Sequence, residues 1–326
     1  MANTFLDFSA DADIGGPLIG FAEAVPLIPP PPFADAVDHW RFGSNAASLS
    51  GKVSGSRMSL GLALTVGSSG SGYTSSPTVA LSGAGASGLV GFAERNGSGQ
   101  IYSVGFSGQP QDDTGAVSAT ISGGGGTGAT ASASRGSAPT YNAASIVLAS
   151  GKKNGLVSAI DDAAVYTEAY LIKRPNAGTE QRIGGTSMYN GGARGGGVGG
   201  DGFAWSTGNQ IVLQTGSGIG DRSITPPASW VAGTWGVLVV SVSASGRTAL
   251  LMGPDGTGST ASDSGAKVVA NPQRKRAIGG IHWDFGNPYA ALEIASFANW
   301  ATAKTSAQMT ACALDLLYDA QARGLL

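Results

Sequence analysis

Apolar and polar residues alternate over short stretches from His39 to Trp300. HWRFG, SLSG and SRMSLGLALTV open the series, and ASIVLAS, NGLVSAI, AAVYTEAYLIKR, QRIGGTSMYN, GFAWST and NQIVLQTG continue it after Tyr141. WGVLVVSVSASGRTALLMGPDG, KRAIGGIHWDF and YAALEIASFANW complete it. Period-2 alternation puts successive side chains on opposite faces of a strand, and the intervening Gly, Asn, Pro and Asp mark turns every ~8–15 residues. The pattern predicts an all-β chain of the sandwich or barrel type. The period changes once, in TSAQMTACALDLLYDAQARGLL, where Met309, Cys312, Leu316 and Ala320 stand at i, i+3, i+7 and i+11. That is the apolar stripe of an amphipathic helix. A helix over 305–323 is expected against the strands, with Thr305 or Ser306 as N-cap and Gly324 as its stop.

Between residues 68 and 135 the pattern gives way to a Gly- and Ser-rich text that repeats. TVALSGAGASGLVGFA (78–93) aligns without a gap on SATISGGGGTGATASA (118–133), so that Ser82, Gly83, Gly85, Gly88 and Ala93 recur 40 residues on at Ser122, Gly123, Gly125, Gly128 and Ala133. Each copy reads as a hairpin: a short alternating strand, a glycine turn and a second small-residue strand. Two copies are too few for a solenoid. Tyr73, Phe92, Ile101, Tyr102, Val104 and Phe106 supply a small core, which favours a compact module over a linker. Strands resume at Tyr141, so the module reads as an insertion at 68–135 into a sandwich made of 39–67 and 136–326. A folded insert adds little closure entropy at such a site. Residues 1–38, ending near the run Pro29 to Pro32, read as a Pro-rich strap.

Composition narrows the function classes. Glycine at 53 of 326 residues is more than twice the usual share, and charged residues at 12% are about half of it, which suits tight turns and small-residue packing. A net charge of −2 marks neither nucleic acid nor an anionic membrane as partner, and no apolar run reaches transmembrane length. The single cysteine, Cys312, excludes an intrachain disulfide and a cysteine-built zinc site; in its apolar helical stretch it reads as a buried structural thiol. The opening MANTFLDFSADADIGG has no basic n-region and no long apolar run, so export by a signal peptide is not expected.

AAVYTEAYLIKR, TWGVLVVSVSASGRTALLMGPDG, RAIGGIHWDFGNPYAALEIASFANW and the helix beginning TSAQM, in that order, are similar to the concanavalin A-like lectin/glucanase sandwich in its laminin-G-like form. The likeness covers 140–320, with the first strands at 39–66, and implies an all-β concanavalin A-like jelly roll with an inserted Gly-rich module and a C-terminal α-helix. SGSGYTSSPTVALSGAGASG (69–88) and ISGGGGTGATASA (121–133) resemble the glycine modules of tailed-phage structural proteins. The second copy departs from that pattern, with DDTGAV where GYTS would stand. The two resemblances together imply a virion component of a tailed bacteriophage, a tail-fibre or tail-tip protein made without a signal peptide. Its expected partners are a host cell-surface glycan, other tail proteins and further copies of itself in a homo-oligomer, most simply a trimer. A structural decoration or baseplate protein without a ligand, and a polysaccharide-processing enzyme, are the alternatives.

The residues give no catalytic constellation. The five glutamates are Glu23, Glu94, Glu168, Glu180 and Glu293, and none has a second carboxylate at i+2 or i+4 on an expected strand, where retaining hydrolysis would need it. With two histidines and one cysteine, and no HExxH or GxSxG, neither a transition-metal site nor a nucleophile elbow is expected. GVGGDG at 197–202 satisfies GxGxxG without the βαβ context that gives it meaning. The glycine loop around it offers a better ligand site: Tyr189, Asn190, Arg194, Asp201 and Trp205 combine an aromatic face with groups that bond sugar hydroxyls. IHWDFGNPY (281–289) is the second candidate, with His282 and Asp284 on the face opposite Trp283 and Phe285. DADIG at 11–15 matches half a calcium loop but lacks the glutamate at its twelfth position. No cofactor is expected, and calcium held by sandwich loops stays open. PQRKR (272–276), the one basic cluster, reads as a solvated turn.

Overall fold

The structure, a computed structural model, describes residues 33, 35–111, 113–151, 153–186, 199–215, 221–271, 273–279 and 290–326. β1 (Asp38–Arg41) and β2 (Ser59–Leu60) precede the glycine-rich segment, which holds β3 (Leu62–Ser71), β4 (Thr78–Ser82), β5 (Leu89–Arg95), β6 (Ile101–Gly108), β7 (Ser118–Ser122) and β8 (Thr127–Arg135). After it come β9 (Thr140–Tyr141), β10 (Ile146–Leu148), β11 (Leu156–Asp161), β12 (Tyr166–Lys173), β13 (Gln181–Gly185), β14 (Asp201–Trp205), β15 (Ile211–Thr215) and β16 (Arg222–Ile224). β17 (Trp235–Ser243), β18 (Gly246–Met252), β19 (Gly258–Ser264), β20 (Lys275–Ile278) and β21 (Leu292–Trp300) lead into helix α1 (Ser306–Ala322). SLSG, expected as a strand, begins inside a short 3-10 turn over Ala46–Leu49. There the Asn45 side chain accepts from the Ala47 N–H and bends the chain out of the extended form.

Two antiparallel sheets face each other. One runs β19-β18-β17-β12-β21-β10-β9, with β1 also on β21; the other runs β16-β15-β14-β13-β20-β11-β2. Trp40, Tyr170, Phe203, Trp205, Leu238 and Phe297 fill the space between them. On the far side of the first sheet α1 lays Met309, Cys312, Leu316 and Ala320 against Ala169, Leu171, Val237 and Val239. The central strands of that sheet are therefore buried on both faces, which is why WGVLVVSVS is apolar almost throughout. The small residues Ala169, Ala298, Ala313 and Ala320 let helix and sheet approach closely. Thr305 caps α1 in a capping box with Gln308. The chain is an all-β sandwich with one C-terminal helix, the class its alternation predicts.

The glycine-rich segment forms two sheets of its own, β3-β8 and β6-β5-β4-β7. Val79 pairs with Ile121, Ala80 with Thr120 and Leu81 with Ala119. Thr120 is the counterpart of Ala80 in the repeat, so the two copies meet about a local twofold axis between these residues. The symmetry reaches beyond the glycine text: Ala93 pairs with Val104, and their counterparts Ala133 and Leu64 pair likewise. Each copy is thus three strands long, β3-β4-β5 and β6-β7-β8, and the outer strands are exchanged between copies. Paired hairpins were expected, and β4 does pair with β5 at Thr78–Phe92 and Val79–Gly91 and with β7 of the other copy; the longest ladders, however, join the copies through strands outside the hairpins. LALTV and YSVGF share alternation rather than identities, which hid their equivalence.

Leu62, Leu64, Tyr73, Val79, Ala93, Ile101, Val104 and Phe106 make the core of this segment. Phe92 points out of it and lies 5.5 Å from the Arg274 guanidinium of the sandwich, and Tyr102 is half-buried with its hydroxyl donating to Glu94 at 2.8 Å. The glycine run of the second copy wraps the ring of Tyr73: a Cβ on Gly126 would stand 2.5 Å from Tyr73 Cγ. Asp113 occupies the counterpart of Tyr73, and there the second copy docks on the sandwich instead. Asp113 pairs with Arg57 and accepts from the Leu60 N–H at 2.7 Å, while Gln109 donates to Val157 O at 3.0 Å. The departure of DDTG from GYTS therefore marks a change of neighbours.

The ladder of this segment starts at Leu62, so 62–66 pair with β8 rather than with the sandwich, with a bulge at Gly67. Its two ends adjoin, the Gly136 N–H donating to Gly61 O at 2.9 Å. Deleting 62–135 and closing Gly61 to Gly136 through a short turn is expected to leave a soluble chain that unfolds cooperatively at a lowered temperature, since Val157 and Arg274 lose their cover. Differential scanning calorimetry checks this; a broad, non-cooperative transition would contradict it.

Candidate functional site

Of the residues expected to bind ligand, Tyr189, Asn190, Arg194, His282 and Asp284 lie outside the described residues. The flanks of the two candidate segments lie at opposite ends of the second sheet, because Thr186 leaves β13 beside the start of β20 while Gly279 follows the end of β20. Asp201 and Trp205 are described, and neither faces solvent. Residues 201, 203 and 205 share the inward face of β14, so the alternation that buries Phe203 buries them too. Trp205 meets Trp230 edge-on at 5.2 Å, with the Arg174 guanidinium 5.2 Å over its ring. Both residues are corrected from ligand contacts to interior groups.

Asp201 belongs to a cluster of five charged side chains between the sheets. Arg276 on β20 is its centre. Its Nε donates to Glu168 Oε1 at 2.7 Å, Nη2 donates to Glu168 Oε2, and Nη1 donates to Asp201 Oδ1 at 2.7 Å and to Asp162 Oδ1 at 3.0 Å. Lys267 Nζ reaches Asp162 Oδ1 at 2.5 Å and Ala163 O at 2.8 Å. Two tyrosines of β12 complete the shell: Tyr166 donates to Asp201, and Tyr170 donates to Glu168 at 2.8 Å. Asn299 on β21 adds a bond to Glu168 at 3.3 Å. Glu168 comes from the first sheet and Arg276 and Asp201 from the second, so the fork of the guanidinium spans the sandwich.

Three carboxylates stand against two cations, and their side chains are 0–1% exposed. Burial works against the Asp201 charge, but Arg276 and then Lys267 outweigh it and hold the carboxyl below its ordinary value. Burial likewise opposes the Arg276 charge, and Asp201 and Glu168 override it, raising the pKa well above the ordinary one. Burial, joined by the neighbouring carboxylates, pushes the Tyr166 and Tyr170 hydroxyls well up and keeps them as donors. A general acid or base must reach a substrate proton; these charged side chains are 0–1% exposed and bonded to groups of the interior.

This cluster was not anticipated. Arg274 and Arg276, taken from PQRKR as solvated, are buried to 1% exposure. The usable signal was Glu168 itself, a lone acid inside the apolar strand AAVYTEAYLIKR, which a folded chain must meet with a cation. Among the described residues no group of three or more His, Cys, Asp or Glu could hold a metal ion, and no helix is long and apolar enough to cross a membrane.

Fold and cluster together define a two-sheet β-sandwich, closed by a helix, with a five-member charge network sealed from solvent between its sheets. No protein-family description matches the chain, and no curated protein does. Solved structures show partial likeness. The binding domain of botulinum neurotoxin serotype G overlaps 57% of this chain and 46% of its own, at 9% identity and a TM-score of 0.38. Trypanosoma rangeli sialidase overlaps 56% of this chain and 29% of its own, at 10% identity and a TM-score of 0.38. The receptor binding domain of botulinum neurotoxin D overlaps 58% and 47%, at 12% identity and a TM-score of 0.37. The alignments thus take in less than half of each of these chains.

Two stability outcomes follow from the geometry. Replacing Trp205 with Ala is expected to cost about 3–5 kcal/mol through the cavity it leaves, read as a fall in melting temperature. Because Asp201 has a folded pKa below 3.8, its contribution is complete above that pH and is lost as pH falls through the folded value. Asp201→Asn should therefore be strongly destabilised at pH 7, on the order of 3–5 kcal/mol, with the gap to the parent narrowing below pH 3.8. Urea unfolding at several pH values checks the sign; a gap that widens on acidification would contradict it.

Proposed function

We propose that this chain is a virion component of a tailed bacteriophage, a tail-fibre or tail-tip protein that contacts the host cell surface through glycan. The observation that carries the reading is the glycine-rich segment 62–135, whose text resembles modules of tailed-phage structural proteins and which enters and leaves the sandwich at adjoining residues. Such an arrangement sets a rigid spacer beside a binding sandwich without breaking either core. The sealed Arg276 cluster favours binding over catalysis, since it takes Glu168 and Asp201 out of acid–base use. Assembly as a homotrimer, with residues 1–38 contributing to docking on other tail proteins, belongs to the same reading, as does a place in the virion tail.

Antiserum raised against the chain tests this on phage particles. Immunogold label at the tail and loss of adsorption to cells are expected. Tail label without loss of adsorption would support a structural decoration protein instead, and no label on any particle would overturn the reading. Light scattering is expected to give a trimer for the full chain at micromolar concentration; a monomer there would remove the assembly claim.

A further inference from the structure

A polar groove lies on the helix side of the first sheet, away from the charge cluster. Cross-strand register lines up Trp300, Thr167, Ser241, Thr248 and Ser262 in one row over β21, β12, β17, β18 and β19. Neighbouring strands are ~4.8 Å apart, so a hydroxyl stands at each step beyond Trp300; those of Thr167 and Ser241 are buried under residues 302–304, and those of Thr248 and Ser262 stay open. The next row brings Ser243, Gly246 and Ser264 together. Residues 302–304 are pinned across one end: the Lys304 N–H donates to Thr167 Oγ1 at 3.0 Å and to Ser241 Oγ at 2.9 Å, and Thr167 donates to Thr302 O at 2.8 Å. Between this wall and the β17–β18 turn opens a cavity of about 450 Å³, lined by Ser241, Ser243, Thr248, Ser262, Ser264 and Lys304 among others.

The lining selects a chemical class. Each Ser or Thr hydroxyl both donates and accepts, which matches the hydroxyls of a sugar, and the volume falls within the ~300–1,000 Å³ of small-molecule sites. The nearest charged side chains on β18 and β19, Arg247 and Asp263, alternate with the lining hydroxyls and so lie on the opposite face of the sheet, where they pair at 2.7 Å. Lys304 has no ion-pair partner among the described residues, and its ammonium rests 4.6 Å over the Trp300 ring. The groove therefore carries one uncompensated positive charge at the aromatic end of its hydroxyl row.

We propose that this groove binds an acidic saccharide, its carboxylate on Lys304 and its hydroxyls along Thr248, Ser262 and Ser264. The proposal rests on the glycan-contact reading and places that contact away from the loop around Tyr189. Calorimetric titration of the full chain with oligogalacturonate and with oligosialic acid, against a neutral maltooligosaccharide of equal length, tests it. At least one acidic probe is expected to bind, with the neutral probe weaker by roughly tenfold or more, the size of one charge-assisted hydrogen bond. Lys304→Gln should weaken the acidic probe by a similar factor. Ser262→Tyr, at an exposed position, should abolish binding, and neither variant should shift the melting temperature. No binding of either acid, equal binding of the neutral probe, or unchanged affinity in both variants would overturn the proposal. If Ser262→Tyr loses saccharide binding yet the chain fails to block phage adsorption, the host-contact reading falls while the groove stands. If adsorption is blocked equally by parent and Ser262→Tyr, the groove falls and the reading stands.

Discussion

The guanidinium of Arg276 is the constraint on which the sandwich rests. One planar group satisfies Glu168 from the first sheet, Asp201 from the second and Asp162 just past the end of β11. In a dry interior an unpaired carboxylate costs several kcal/mol, so any sliding of one sheet over the other strands at least one charge. Hydrophobic burial holds the sheets together without direction; the fork of Arg276 supplies the direction. Tyr166 and Tyr170 stand on the same face of β12 as Glu168, which ties the register of that central strand to the cluster. Further links point the same way, for Arg247 on β18 donates to Leu213 O on β15 at 3.2 Å.

That constraint bears on function by subtraction. Glu168, Asp201 and Asp162 are consumed in joining the sheets and take no part in any surface. The glycine-rich segment follows the same economy. Its two copies need no charge to cohere, since each completes the other's ladders, and its few ionic contacts, such as Asp113 with Arg57, are placed where it meets the sandwich.

The elements that were legible in the sequence are those governed by local period. The short apolar strand runs YTEAYLIK and WGVLVVSVS, the i, i+3, i+7 stripe of α1 and the Thr305 cap are all set within a few residues. What was not legible depends on partners far along the chain. Nothing near Glu168 announces Arg276, which is 108 residues away, and an exposed-looking PQRKR gives no hint that two of its arginines turn inward. The interlocking of the glycine copies was hidden for the same reason, because β3 and β6 keep the repeat's alternation but not its letters. Asp201 and Trp205 were misplaced by assigning them to the glycine loop and its flank, although parity with Phe203 in the strand GFAWS already pointed them inward.

A double-mutant cycle on Glu168 and Arg276 tests most directly whether this one guanidinium holds the sandwich together. Glu168→Gln, Arg276→Met and the double variant would each be unfolded in urea at neutral pH. If the cluster acts as a unit, each single change costs several kcal/mol and the double costs far less than their sum, a coupling of roughly 2 kcal/mol or more. Additive costs, or single variants as stable as the parent, would contradict it.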